Sequence, residues 1–392
     1  MMIGRKQRTL RVSLVFGCLI WFTGVAAAQE KEPVVISAVG EFSGGGAVIW
    51  DYFWKGVQLA RDEINAKGGI LGRPIKITFY DTQSDPPTSV SAVKRALAQD
   101  KPYAVVGPLY TGSTIVNMAE TQAAKVPHLV GSEGWTVTTK GNPYIFRSSE
   151  NNRLDVIKIL RWLVEEKKIK RAALIFRTDE YGTSSKDAML AYLKEKGVTV
   201  DPVIGVDVRQ KDYTAELLKV KAAKVDALLE NPDVGEAAIL RRQFNKLGLQ
   251  MIHYGQNACD PAFLELAKTE ADGMFCHTGF IPTSPDERSK TFVERFRKKW
   301  NKDPSEEAYK GYNATYMVKV ITEQIKEFNQ EKFVQKLHNF YLAPEIEPNL
   351  LPAYWDENGD YNFRSHIATI KNGKYEIIGR VPPFKGPGSG QK

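Results

Sequence analysis

The sequence predicts an α/β fold of two doubly wound lobes, each a parallel sheet covered by helices. Strand-like and helix-like patterns alternate along almost the whole chain, the signature of βαβ units. Several strand patterns are continuous apolar runs, as strands covered on both faces require. About 364 residues remain once a leader segment is set aside, more than one hydrophobic core usually serves, and a weak internal repeat divides them.

The leader comes first. Arg5, Lys6, Arg8 and Arg11 precede an apolar run over 12–25, and Ala26-Ala27-Ala28 supplies the small residues that signal peptidase needs. The run is shorter than the roughly 20 apolar residues that span a membrane, so residues 1–28 are expected to be a signal peptide cleaved after Ala28. Cys18 suggests lipidation instead, but bulky Phe16 stands where a lipobox has a small residue. Strands are then expected at 34–39, 75–80, 103–106, 128–130, 172–176, 225–229 and 251–254. Helices with apolar residues at three- and four-residue spacing are expected at 52–66, 89–99, 114–124, 154–166, 184–196, 213–223 and 235–247. Gly68-Gly69 stops the first helix, where glycine accepts a positive φ that other residues resist.

The repeat runs as follows. A glycine-terminated helix, a strand ending in Tyr80-Asp81, a helix and Tyr103 to Gly107 are matched by a helix ending at Gly197, a strand toward Asp207, a helix opened by Asp212-Tyr213-Thr214, and Val225 to Leu229. Duplication of a doubly wound lobe explains this better than a solenoid does. The first boundary is expected near Arg147-Ser148-Ser149, and 386–392 has the composition of a flexible tail.

Removing Arg5, Lys6, Arg8 and Arg11 takes the net charge from +8 to +4, too small and too evenly interspersed to invoke nucleic acid. Cys259 and Cys276 are the only cysteines after the leader. In an oxidising compartment they form a disulfide or remain two buried thiols, and both readings stand; a zinc site needs more ligands. There is no Walker A motif, nucleophile elbow or His-Glu-x-x-His, and the histidines are scattered. Ser43-Gly44-Gly45-Gly46 imitates a phosphate loop without its lysine. Neither an enzyme nor a cofactor or metal is expected.

Binding fits better. In open parallel sheets ligands sit beyond the carboxyl ends of strands. Thr111-Gly112-Ser113-Thr114 follows one strand and opens a helix, offering hydroxyls and free N–H groups to an anion. Gly131 to Trp135, Asp179 to Gly182, Asn231-Pro232-Asp233 and Gly255-Gln256-Asn257 follow others, and Ile49 and Trp50, with Phe42 and Tyr52, suggest an apolar wall.

Taken with Ala38 to Gly44 and Val105-Val106-Gly107-Pro108, the run Gly68-Gly69-Ile70-Leu71-Gly72-Arg73-Pro74 resembles the branched-chain-amino-acid family of bacterial solute-binding proteins, from about residue 33 to about 380. The resemblance implies a type I periplasmic binding fold with a three-segment hinge. Lobe 1 would be 29–147 plus 280–347, and lobe 2 would be 148–279 plus 348–385. It also implies a monomer in the periplasm that delivers a small carboxylate-bearing ligand to an ABC transporter permease. Thr111 takes the place of the usual carboxylate contact, Ser132 and Gly134 carry over from the next loop, and Tyr181 matches a tyrosine that closes over ligand. Asn257 stands where amino-acid-binding relatives carry an acid for the ammonium, so Asp233 or Glu133 would have to replace it, or the ligand is an aromatic or aliphatic acid without an amine. A ligand-sensing module for a receptor and an exported α/β hydrolase are the alternatives.

Overall fold

The structure, a computed structural model, describes residues 1, 2, 4, 31–346 and 350–387. Almost all of the expected leader, with Cys18 and the position after Ala28, lies outside the described residues, as do 388–392 of the tail. The chain divides into Met1–Lys31 and Glu32–Lys392, and every element below lies in the second unit.

The first sheet comprises β1 (Val34–Gly40), β2 (Ile75–Asp81), β3 (Ala104–Val106), β4 (His128–Val130) and β5 (Ile145–Arg147), all parallel in the order β2-β1-β3-β4-β5. Between them run α1 (Ala47–Ala66), α2 (Pro86–Asp100) and α3 (Thr111–Ala123). After α4 (Asn152–Glu165) come β6 (Arg171–Arg177), β7 (Thr199–Val206), β8 (Ala227–Glu230), β9 (Ile252–Gly255) and β10 (Met274–Thr278), joined by α5 (Glu180–Glu195), α6 (Thr214–Ala223), α7 (Val234–Lys246) and α8 (Pro261–Ala267). Their order, β7-β6-β8-β9-β10, repeats that of the first sheet. The chain ends with α9 (Glu287–Trp300), α10 (Glu306–Ile325), α11 (Gln330–Leu337), a small antiparallel sheet of β11 (Tyr341–Leu342), β12 (Ala353–Trp355) and β13 (Tyr361–Asn362), and the hairpin β14 (Ser365–Lys371) and β15 (Lys374–Val381). That hairpin extends the second sheet antiparallel to β10.

Strand alternation explains the layering. Ile36, Ala38, Ala104 and Val106 face a core shared with α1 and α10, while Val39 and Val105 face Ala92, Val93 and Ala96 of α2. In the second sheet Ala172, Leu174 and Leu229 face α4 and α5, and Ala173, Ile175 and Leu228 face α6 and α7. Several helices start at side-chain caps. Asp85 accepts from Thr88 N at 2.9 Å before Pro86, and Asp179 accepts from Gly182 N at 2.9 Å. Gly69, at φ 81°, turns the chain after α1, and a Cβ there would lie 1.9 Å from Arg73 O.

Cys259, in the loop after β9, is joined to Cys276 in β10 as a disulfide across a separation of 17 residues. A loop of that size contributes about 3 kcal/mol in the chain-entropy description. Arg147 is fully buried, and its Nε donates to Asp360 at 2.7 Å while Trp355 Nε1 donates to Arg147 O at 2.7 Å. Lys158 pairs with Glu150 and donates to Phe363 O at 2.7 Å and Ser365 Oγ at 2.9 Å.

Buried acids give stability a pH dependence. Burial pushes Glu230 at the end of β8 up to about 8 against the pull of Arg241, and pushes Glu41 up to about 7 against hydrogen bonds from Leu109 and Tyr110. Each holds a proton in the native state that the unfolded chain releases above about pH 4.5, so stability falls as pH rises toward those values. His253, held well below its ordinary value by burial and then by Arg241, acts in the opposite direction only below about 6.5. Calorimetric Tm is therefore expected to fall from pH 6.5 to 8.5, with a shallower fall in Glu230→Gln. A Tm that rises over that interval would contradict this assignment.

Candidate functional site

In each sheet the strand order reverses between the first and third strands, β1 and β3 in one and β6 and β8 in the other. Loops from both reversals line a shared cavity. Ile49 enters from the first turn of α1, Leu109, Tyr110 and Thr111 follow β3, and Gly131 and Glu133 follow β4. Arg177, Asp179 and Tyr181 enter from β6 and the start of α5, Asp233 after β8, Asn257 after β9, and Glu307 and Lys310 from α10. A second compartment shares Ile49, Glu133, Asp233, Asn257 and Glu307 and continues to Gln256, Asp260, His277 and Glu306.

Arg177 organises one wall. It is 3% exposed, forms ion pairs with Asp179 and Asp233, and lies over the rings of Tyr110 at 5.3 Å and Tyr181 at 5.4 Å. Burial opposes its charge, but the two carboxylates outweigh burial and raise its pKa further. Tyr110 Oη donates to Asp233 at 3.0 Å, which ties a loop of the first sheet to one of the second. Burial and then Asp233 raise the Tyr110 hydroxyl, and burial raises that of Tyr181, so both stay neutral donors. Beneath them, fully buried Glu41 accepts from Leu109 N and Tyr110 N, each at 3.1 Å, fixing the loop that carries Thr111.

Lys310 organises the other wall. Its amine, on a residue 2% exposed, donates to Glu133 at 2.5 Å and Glu307 at 2.7 Å. Burial opposes the ammonium, yet Glu133, Glu307 and Glu306 together raise its pKa well above the ordinary value. Burial lifts Glu307 to about 8 despite Lys310. His277 Nε2 meets Asp155 at 2.5 Å, and although burial works against its charge, that carboxylate raises the imidazole.

Of the residues singled out from sequence, Ile49, Thr111, Glu133, Tyr181, Asp233 and Asn257 come together on the cavity wall. Trp50, Ser132 and Gly134 do not line it. Trp50 is 1% exposed and stacks on Phe53 at 4.8 Å, so it fills the core of the first sheet instead of walling the ligand space. Ser132 is fully buried, and its carbonyl accepts from Arg147 at 2.5 Å. Gly134 N donates to Thr111 Oγ1 at 3.1 Å, while its carbonyl accepts from Arg147 at 2.7 Å, so this loop supports Thr111 from behind. Asp233 and Glu133, offered as substitute acids, already face Arg177 and Lys310. Asn257 is also engaged: its Nδ2 donates to Pro232 O at 2.8 Å and its Oδ1 accepts from Tyr181 at 3.4 Å.

Leu109, Tyr110, Arg177, Glu307 and Lys310 are cavity residues that sequence reasoning missed. Arg177 ends an apolar strand just before Asp179, a position from which a side chain reaches the ligand space of such sheets. Tyr110 directly precedes Thr111. Glu307 and Lys310 carried no such signal.

Among the described residues no helix is long and apolar enough to cross a membrane, and no group of His, Cys, Asp and Glu is arranged to hold a metal ion. The family model described as Periplasmic binding protein matches residues 33–373. An amino acid binding protein of Pseudomonas aeruginosa is 29% identical over 269 residues, 67% of this chain and 71% of that one. The Leu/Ile/Val-binding protein of Escherichia coli K12 is 24% identical over 364 residues, 89% of this chain and 93% of that one. A solved solute-binding protein of an ABC transporter from Rhodopseudomonas palustris BisB5, in complex with 3,4-dihydroxybenzoic acid, aligns at a TM-score of 0.82 and 19% identity, covering 91% of this chain and 99% of that one. With a duplicated 2-1-3-4-5 sheet order, one cavity at both reversals and a match over residues 33–373, the chain belongs to the periplasmic binding protein family, of the branched-chain-amino-acid type.

Proposed function

We propose that this protein captures a small carboxylate-bearing solute between two lobes outside the cytoplasm and presents it to an ABC transporter permease. The observation that carries this reading is a cavity walled by loops from both sheets at their points of strand reversal. A ligand touching both walls makes its full set of contacts only when the lobes are together, so it shifts the open–closed equilibrium toward closure. The amino acid and Leu/Ile/Val binding of the relatives, and the aromatic acid in the Rhodopseudomonas structure, support an acid with an apolar body. Thr111 at the start of α3 is the carboxylate contact, and Ile49 and Leu109 are its apolar neighbours. We infer lobe crossings near 147–150 and 278–281. We infer a third near 363–365 in place of the expected 347–348, a reading supported by the pairing of 353–362 with β11 and its bonds to the end of β5.

A thermal-shift screen across amino acids, aliphatic acids and aromatic acids tests the reading. At 100 times its dissociation constant the bound acid stabilises the native state by about 2.7 kcal/mol. The corresponding amide, lacking the carboxylate, is expected to give no shift. If no acid stabilises the protein, or the amide does so equally well, the proposal fails.

A further inference from the structure

The glycine run Gly44-Gly45-Gly46, which in sequence imitates a phosphate loop, lies against the ring of Tyr110. A Cβ on Gly46 would stand 2.9 Å from Tyr110 Cε1, and one on Gly45 would stand 3.3 Å from Tyr110 Oη. Fully buried Glu41 holds the same residue from below, accepting from Tyr110 N at 3.1 Å. Glycines that permit a close approach and a buried carboxylate thus make a seat for one aromatic side chain among the loops of the first sheet.

From that seat Tyr110 reaches the second sheet. Its Oη donates to Asp233 Oδ2 at 3.0 Å, and its ring faces the Arg177 guanidinium at 5.3 Å. Asp233 pairs with Arg177 through its other oxygen, so the receiving site is complete without any ligand atom. A second bond joins the same two sides, from Thr136 Oγ1 to Glu180 at 2.9 Å.

The place of these contacts gives them leverage. By the crossings inferred above, the chain passes between lobes after β5 and β10, while β2 and β7 are the opposite edge strands of the two sheets. Residues just after those edges, Gln83 to Pro86 and Val208-Arg209, line one groove together with Tyr110. That groove is the mouth of the cleft, far from the hinge, where rotation of the lobes separates facing groups most.

We propose that Tyr110 is a clasp that holds the two lobes closed through Asp233 and Arg177 whether or not a solute is bound. The inference rests on the two-lobe solute-binding reading above and adds a regulation of that site: the chain's own contacts, and not the ligand alone, set the closed population. A hydrogen bond to a charged acceptor is worth about tenfold or more in such an equilibrium. Phenylalanine at position 110 keeps the ring in its seat and removes only that bond.

Single-molecule energy transfer between dyes on Gln83→Cys and Arg209→Cys, on opposite lips of the mouth, reads the closed-to-open ratio of the mature protein with no solute added. The Cys259–Cys276 disulfide leaves the two introduced thiols as the labelling sites. We expect a measurable closed population in the doubly labelled parent and a closed-to-open ratio about tenfold lower when Tyr110→Phe is added. A tyrosine that served only to touch the solute would leave that ratio unchanged. An unchanged ratio, or a ligand-free parent with no closed population, would overturn the inference and leave the solute-binding reading intact. If the ratio falls as expected while no acid of the thermal screen binds, the clasp stands and the solute-binding reading fails.

Discussion

Arg177→Met is expected to destabilise the protein by about 3 kcal/mol, because it strips the cation from two carboxylates at once. Asp233 and Asp179 both pair with this side chain, which is 3% exposed and lies between two tyrosine rings. The effect sits at the low end of the range for broken buried pairs, since the Asp179 side chain is 30% exposed and water relieves part of the loss. Asp233→Asn added to Arg177→Met should recover part of the stability by removing the stranded charge, a coupling that a double-mutant cycle in urea measures. If Arg177→Met unfolds within about 0.5 kcal/mol of the parent, the ion pairs do not hold this wall.

Gly311→Val should have a comparable effect for a steric reason. Helices α1 and α10 cross so closely that a Cβ on Gly311 would lie 2.1 Å from Phe53 O, and one on Gly56 would lie 1.9 Å from Ala308 O. Both obstacles are backbone, so the helices must separate, and overpacking of this kind costs about 1–3 kcal/mol. Because α10 also carries Glu307 and Lys310, separation moves one cleft wall, and ligand affinity should drop with stability. Gly56→Ala should act in the same direction, and the double variant should cost less than the sum because one displacement relieves both clashes. Thermal unfolding of the parent and the three variants decides this. Equal Tm for parent and Gly311→Val would mean that the helices do not meet so closely.

The regular α/β core was legible because β1, β3, β6 and β8 are short apolar runs and the helices between them keep one apolar stripe. The C-terminal third was less legible. Helix α10 is buried through most of its length, from Ala308 to Thr322, so it has no clean polar face to set its period. The hairpin of β14 and β15 turns at Asn372-Gly373, both at positive φ, a strong signal that the alternating residues around it could have supported. Site legibility followed the same division. Thr111, Tyr181, Asp233 and Asn257 stand just after strands, where position alone implicates them. Glu307 and Lys310 look like an ordinary exposed i,i+3 pair, and only packing turns that face of α10 inward. Trp50 misled because an aromatic beside a ligand loop and one beneath it look alike in sequence.

The claim on which the account turns is that one solute is gripped from both sheets at once. The direct measurement is the calorimetric dissociation constant of the best acid from the screen for Thr111→Val and for Tyr181→Ala, substitutions on loops of the first and second sheets respectively. The account predicts that each weakens binding by about tenfold or more, since each removes a polar or aromatic contact of roughly 1.4 kcal/mol. Parental affinity in either variant would contradict it.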